Sequence, residues 1–123
     1  NQYPDGDSNF LKKTISKSFN LNTTQIICGN GSDDILSIIA QAFLREKDEV
    51  ICSEYGFIYY PIIAKTSGAQ VVTAKSKNLT ISCENILKKI TKRTKIIFFA
   101  NPNNKDGCVV LVEEWDTITT REF

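Results

Sequence analysis

The sequence predicts an α/β layered fold, in which a mainly parallel sheet is covered by helices on both faces. Short apolar segments of strand length alternate along the chain with segments of helical periodicity, which is the pattern of parallel strands joined by crossover helices. Residues 95–100 (KIIFFA) are apolar almost throughout, as expected of a strand that is covered on both faces. With 123 residues, 41% of them apolar, the chain has the size of one domain with an adequate core.

The chain opens with turn-forming residues over 1–9 (NQYPDGDSN), which predict a helix start. Asp7 or Ser8 is expected to cap a helix over residues 10–19. A calcium site around Asp5 and Asp7 is the alternative, but the other ligands of a calcium loop are missing. Turn and cap chemistry is therefore the favoured interpretation.

Residues 25–43 (QIICGNGSDDILSIIAQAF) predict a strand, a turn and a helix in succession. The strand is expected over residues 25–28, and the turn contains Gly29 and Gly31. The helix is amphipathic, with its apolar residues at helical spacing: Ile35, Leu36, Ile38, Ile39, Ala42 and Phe43.

The start of this helix is the first candidate site. A strand that enters a helix through glycines leaves backbone N–H groups directed at one point, which is a common way to hold a phosphate. Ser32 can cap the first turn, and Asp33 and Asp34 lie where the helix dipole favours acidic side chains. The negative charges of these two aspartates would repel a phosphate unless only main-chain and hydroxyl donors face the phosphate. An ordinary strand–loop–helix connection is the alternative.

The remaining elements continue the alternation. The predicted order is a strand over 48–53, a helix over 57–66 with Pro61 in its early part and Gly68 as its stop, a strand over 69–74, a helix over 82–91 and a strand over 95–100. The helix over 82–91 has a capping residue, one apolar face and lysines near its end. Residues 108–123 form a divergent tail, in which only 109–112 resemble a strand.

The balance of charges argues against a nucleic-acid or membrane partner. The 15 basic residues nearly equal the 14 acidic ones, so no strongly basic surface is expected. The longest apolar runs are too short to cross a bilayer, and no basic-then-apolar leader precedes the fold, so we expect a soluble protein.

The cysteines indicate a reducing compartment, and hence the cytoplasm, rather than a metal site. Cys28, Cys52, Cys83 and Cys108 are too widely spaced for a zinc knuckle or a redox pair, and there is no histidine to complete a mixed site. We interpret them as mostly buried apolar residues, with disulfides as the alternative. The lack of histidine also excludes Ser-His and Cys-His nucleophile systems.

Four motifs, taken in order, carry a family resemblance. They are YPDG, then ICGNGSDD at the start of a helix, then SEYGFIYY, then ANPNN after a strand. The succession resembles the N-terminal part of the large domain of fold-type I aminotransferases that depend on pyridoxal 5'-phosphate (PLP), and within them it is most similar to the histidinol-phosphate aminotransferases. The resemblance covers residues 1–107 and leaves out the tail over 108–123.

The resemblance implies a cofactor site at two of these motifs. Gly31, Ser32 and Asp33 match the positions at the cofactor phosphate, where backbone amides supply donors already in place for a dianion. Tyr55 matches the aromatic residue that stacks on the pyridine ring. Without the resemblance, Tyr55 would be interpreted as simple packing in a turn.

Two further positions are implied by the same resemblance. Asn104 matches the asparagine that hydrogen-bonds the phenolic oxygen of the cofactor, although its segment also suits a turn that ends a strand. Tyr3 matches a tyrosine that, in family dimers, reaches the phosphate held by the partner subunit, which implies a homodimer. The chain departs from the family at Lys105 and Asp106, where the family typically has proline and threonine.

The function implied is a fragment of an aminotransferase that moves an amino group from an amino-acid-like donor to a 2-oxo acid. The Schiff-base lysine, the aspartate at the pyridine nitrogen and the arginine for the substrate carboxylate match no position here, so no catalytic residue is assigned and the piece is expected to be inactive alone. A non-catalytic remnant or interaction module is the alternative. A nucleotide-binding domain is less favoured, because both the Walker lysine and the three-glycine fingerprint are missing.

Overall fold

The computed structural model describes residues 5–100. Its elements are helix α1 (Asn9–Phe19), a short 3₁₀ helix (Thr23–Gln25), helix α2 (Ser32–Phe43), strand β1 (Glu49–Ser53), helix α3 (Tyr59–Thr66), strand β2 (Gln70–Ala74), helix α4 (Cys83–Lys89) and strand β3 (Thr94–Phe98). They divide into two compact units at the boundary between Ser37 and Ile38, within α2.

The second unit contains a parallel sheet with the strand order β2-β1-β3. Every residue of the central strand β1 is buried. Val50 of β1 lies opposite Val71 of β2 and Ile96 of β3, so apolar side chains meet across all three strands. The predicted α/β class and the parallel sheet are therefore confirmed.

The two crossover helices cover opposite faces of this sheet. Tyr60 of α3 stacks on Phe98 with 5.1 Å between ring centroids, and Phe98 lies opposite Cys52 of β1. Ile86 of α4 instead packs in a buried cluster with Ile51. Because neighbouring residues of a strand face opposite sides, Cys52 and Ile51 mark the two faces, and the prediction of helices on both faces is confirmed. The crossovers from β1 to β2 and from β2 to β3 run in opposite directions, for which right-handed connections require helices on opposite sides.

Local sequence signals explain the ends of these helices. The Ser82 hydroxyl accepts the backbone N–H of Asn85 at 3.3 Å and caps α4. Pro61 lies in the first turn of α3, where its missing N–H costs no helical hydrogen bond. Gly68 follows that helix with φ +79°, a conformation that glycine adopts easily.

The start of α1 differs from the prediction that Asp7 or Ser8 is its cap. Ser8 has φ 52° and its side chain makes no capping hydrogen bond. The Asp5 carboxylate instead accepts the backbone N–H groups of Asn9 at 2.7 Å and Asp7 at 3.1 Å, and these bonds lower the pKa of Asp5. The acidic residue that serves the helix start therefore lies further upstream than the spacing rule predicts.

The predicted strand over residues 25–28 is wrong. Gln25 belongs to the 3₁₀ helix, where its side chain and that of Asn22 form a reciprocal capping box. Ile26 has extended angles (φ −117°, ψ 123°), but none of the strands described in 5–100 pairs with this segment. An extended segment becomes a strand only when a neighbouring backbone supplies hydrogen-bond partners, which the sequence pattern does not reveal.

Several other predictions concern burial and the tail. Cys28 and Cys52 have free thiols, and Cys52 and Cys83 are buried, as expected of cysteines that serve as small apolar residues. Cys108 and the tail over 108–123 lie outside the described residues, as does the strand predicted over 109–112.

Between residues 5 and 100, no helix combines the length and apolar character needed to cross a membrane.

Candidate functional site

The carboxyl ends of β1 and β3 form one edge of the sheet. They are neighbours in the strand order, and β1 is the strand at which the crossovers change direction. In open α/β sheets, ligands bind outside the carboxyl ends of the strands at such a point. Tyr55 lies two residues after β1, while Asn104 follows β3 in the sequence and lies outside the described residues, as does Tyr3.

A tight turn carries Tyr55 away from the end of β1. The backbone N–H of Gly56 donates to the carbonyl oxygen of Ser53 at 3.0 Å, which places Glu54 and Tyr55 at the centre of the turn. A Cβ atom on Gly56 would lie only 2.7 Å from Ser53 Oγ. Glycine is therefore required by close packing at this position.

The ring of Tyr55 is available to a ligand. The residue is 37% exposed, and within the part of the chain that the structure describes its ring makes no aromatic contact. The nearby aromatic residues behave differently, since Phe57 packs edge-on against Tyr60 with 5.6 Å between ring centroids. Tyr55 is thus more exposed than Tyr60, which belongs to the core, and an exposed flat ring can stack on the ring of a ligand.

A cavity of about 390 Å³ lies beside this turn. Its lining includes Tyr55, Ile58 and Pro61 on one side and Val71 of β2 on another, so it is mainly apolar. Cys52 also lines it, but burial raises the pKa of the Cys52 thiol to about 11. The thiol is therefore protonated at neutral pH and unsuited to act as a nucleophile.

In the first unit, the start of α2 offers main-chain donors. Gly31 precedes the helix with φ +86°, and a Cβ at this position would meet no atom within 4 Å among the described residues beyond its chain neighbours. The backbone N–H groups of Ser32 and Asp33 donate to no acceptor within residues 5–100. Ser32 is itself the first helical residue, so its hydroxyl lies in the first turn rather than before it.

Two carboxylates lie at this helix start and have hydrogen-bond partners of their own. The Asp34 carboxylate turns back and accepts the backbone N–H of Asn30 at 2.9 Å. The Ser32 hydroxyl donates to Asp33 Oδ1 at 3.5 Å. The donors without an acceptor within residues 5–100 are therefore the backbone amides of Ser32 and Asp33, which lie at the positive end of the helix dipole, where a phosphate dianion is favoured. The residues therefore fit the phosphate of the expected cofactor.

The structure thus places the described candidates in two settings. Gly31, Ser32 and Asp33 adjoin one another at the start of α2 in the first unit, and Tyr55 lies in the second. Their contact with one cofactor stays a prediction. No group of three or more metal-ligating side chains occurs within residues 5–100.

Sequence reasoning missed the residues that hold the Tyr55 turn. Glu54 accepts a hydrogen bond from Ser76, which is 22 positions away in the chain. No local pattern reveals such a contact. The Tyr55-Gly56 pair indicates only that a turn is present. Gly56 is the one local signal that could have drawn attention to this turn.

Comparisons with known proteins identify the family to which the chain is similar. The family described as aminotransferase class I and II matches residues 1–122. The histidinol-phosphate aminotransferase of Pelagibacter ubique is 48% identical over 106 residues, which are 86% of this chain and 29% of that protein. That of Rhodopseudomonas palustris BisA53 is 44% identical over 112 residues, which are 91% of this chain and 31% of that protein. The chain therefore spans about three tenths of the length of these relatives.

Solved structures show the same fold. A histidinol-phosphate aminotransferase from Sinorhizobium meliloti, in complex with pyridoxal-5'-phosphate, matches with a TM-score of 0.85 at 20% identity over 96% of this chain and 32% of that one. The enzyme from Clostridium acetobutylicum matches with a TM-score of 0.78 at 27% identity over 95% of this chain and 34% of that one.

Proposed function

Because the chain belongs to the class I and II aminotransferases, we propose that it forms the cofactor-binding N-terminal part of the large domain of a PLP-dependent aminotransferase. The observation that carries the proposal is the set of main-chain donors at Ser32 and Asp33, which lack acceptors within residues 5–100 and stand where the family motif has its phosphate site. When bound, the cofactor supplies the electron sink for amino-group transfer.

In this proposal, the residues of the chain bind and orient the cofactor. The amides of Ser32 and Asp33, with the Ser32 hydroxyl, hold the phosphate at the start of α2. Tyr55 stacks on the pyridine ring and keeps water from its face. Asn104 hydrogen-bonds the phenolic oxygen of the cofactor. Tyr3 reaches the phosphate that the partner subunit holds in a homodimer. The lysine of the reaction matches no position here, so this chain is expected to bind the cofactor without turnover.

The substrate proposed is an amino-acid-like donor such as histidinol phosphate, with a 2-oxo acid as acceptor. The names of the relatives support this choice, since histidinol-phosphate aminotransferases are 48% and 44% identical to the chain. The names of these relatives support the proposal of a role in histidine biosynthesis. We also propose a cytoplasmic location. The free thiols of Cys28 and Cys52 suit a reducing compartment.

The proposal is tested by titrating PLP into the protein and into two variants of Ser32. Ser32→Pro removes one amide donor at the first helical position, where proline is tolerated. We expect affinity for PLP to fall about tenfold, as for loss of one charge-assisted hydrogen bond. Ser32→Ala keeps the amide and should cost less, and inorganic phosphate should compete with PLP for the unaltered protein.

Two outcomes would contradict the proposal. Equal affinities of Ser32→Pro and the unaltered protein would show that the helix start does not hold the phosphate. Reduction with borohydride, followed by mass spectrometry, provides the second test, because one dominant modified lysine near Tyr55 would contradict the expectation that the chain lacks the lysine of the reaction.

A further inference from the structure

We propose that Glu54 is a positioning residue that fixes the Tyr55 turn to the end of β2 and thereby aims the Tyr55 ring at its ligand. The inference deepens the proposed function and rests on it for the identity of that ligand. The tie is the pair of hydrogen bonds that joins Glu54 to the end of β2. These bonds are present without any ligand and can be measured in the ligand-free protein.

Glu54 is bound to the neighbouring strand end from both its main chain and its side chain. Its backbone N–H donates to the carbonyl oxygen of Ala74, the last residue of β2, at 3.0 Å. Its carboxylate accepts the backbone N–H of Ser76, two residues further on, at 2.9 Å. Two hydrogen bonds to points two residues apart fix the direction of Glu54 as well as its position.

The anchor for this tie is part of the core. Ala74 is 3% exposed and belongs to the buried cluster that includes Ile51 and Ile86. The loop after β2 is thus fixed where it leaves the sheet, while the turn after β1 is otherwise closed by a single hydrogen bond, from Gly56 to Ser53. Because Glu54 is hydrogen-bonded to this fixed strand end, it restricts the motion of the turn after β1.

Within residues 5–100, the Tyr55 side chain makes neither a hydrogen bond nor an aromatic contact that would orient it, so we expect its direction to depend on this tie. The ring is 37% exposed and makes no aromatic contact within the described part of the chain. Its direction is therefore set by the main chain on either side, namely the tied Glu54 and the closely packed Gly56. A ring presented in advance loses less conformational freedom when it stacks on a ligand.

The test compares Glu54→Ala with Glu54→Gln, since glutamine keeps a carbonyl oxygen that can accept the Ser76 N–H. In Glu54→Ala we expect hydrogen exchange of the Ser76 amide to accelerate about tenfold, and affinity for PLP to fall by a factor of about three to ten. Glu54→Gln should restore most of both. The melting temperature should change little, because the carboxylate is exposed.

Glu84→Ala is the matched control. Glu84 is also an exposed glutamate, but its hydrogen-bond partner is the side chain of Lys88 on the same helix. Its loss should leave the exchange of the Ser76 amide and the affinity for PLP as they are.

The outcomes separate the positioning role from the proposed function. If Tyr55→Ala weakens PLP binding and Glu54→Ala does not, the positioning role is overturned and the proposed function stands. Unchanged exchange of the Ser76 amide in Glu54→Ala overturns the tie itself. If the unaltered protein does not bind PLP, the proposed function fails and the positioning role fails with it, even where the exchange result shows the tie.

Discussion

At the scale of single residues, the buried hydroxyl of Ser53 is expected to lower the free energy of unfolding. The residue is 6% exposed, and its Oγ has no hydrogen-bond partner within residues 5–100. We expect Ser53→Ala to raise the free energy of unfolding by about 1 kcal/mol, because it removes a buried hydroxyl that has lost its water.

Ser82→Ala should instead lower the free energy of unfolding by about 1 kcal/mol, since the Ser82 hydroxyl caps α4. Urea denaturation of both variants checks the pair, and a loss of stability in Ser53→Ala would contradict the expectation.

Gly56 gives a second prediction at this scale. A methyl group here would lie 2.7 Å from Ser53 Oγ and 3.1 Å from the Ser53 carbonyl oxygen. We expect Gly56→Ala to lower the free energy of unfolding by about 1–3 kcal/mol through overpacking. Because Oγ is the nearer atom, the double variant with Ser53→Ala should recover part of this loss. Strictly additive effects in a double-mutant cycle would show that the two residues do not meet as described.

At the scale of the elements, β1 is tied at its start to the loop before β3. Glu49 is 4% exposed, and its carboxylate accepts hydrogen bonds from the Thr91 hydroxyl and from Arg93. The Thr91 hydroxyl, and then Arg93, hold the pKa of Glu49 below its ordinary value of 4.5. Since the pKa is lower in the folded state, this contribution to stability is complete above pH 4.5 and is lost as the pH falls through the lowered value.

Glu49→Gln should therefore be less stable at neutral pH and should lose less stability on acidification than the unaltered protein. Thermal unfolding from pH 7 to pH 3 checks this, and the two curves should converge at low pH. Asp5 and Glu84 also have lowered pKa values, so some acid sensitivity is expected in both proteins. Parallel curves would contradict the role given to Glu49.

The elements also show what the sequence could and could not predict. Helix α4 and strand β1 follow from local signals, a capping serine in one case and the short apolar run Val50, Ile51 and Cys52 in the other. The strand predicted over 25–28 failed because pairing depends on a distant backbone, and the Asn22–Gln25 capping box competed for its first residue. The tie between Glu54 and Ser76 joins two loops that only the parallel sheet brings together.

At the scale of the whole molecule, order along the chain predicted more than any single motif. The α/β class followed from the alternation of strands and helices, and family membership from four weak motifs in a fixed sequence. The site residues come from that resemblance. The structure adds physical features that suit the roles proposed for Ser32 and Tyr55, namely an amide without an acceptor within residues 5–100 and a tyrosine that is 37% exposed.

The proposal that this chain binds PLP is tested most directly by following backbone amide and tyrosine ring NMR signals during a titration with PLP. The account predicts the largest amide shifts at Gly31, Ser32 and Asp33, together with a shift of the Tyr55 ring signals. Inorganic phosphate should reproduce the amide shifts and leave the ring unchanged. Shifts confined to lysine-rich surface segments, or PLP binding that leaves the start of α2 unperturbed, would contradict it.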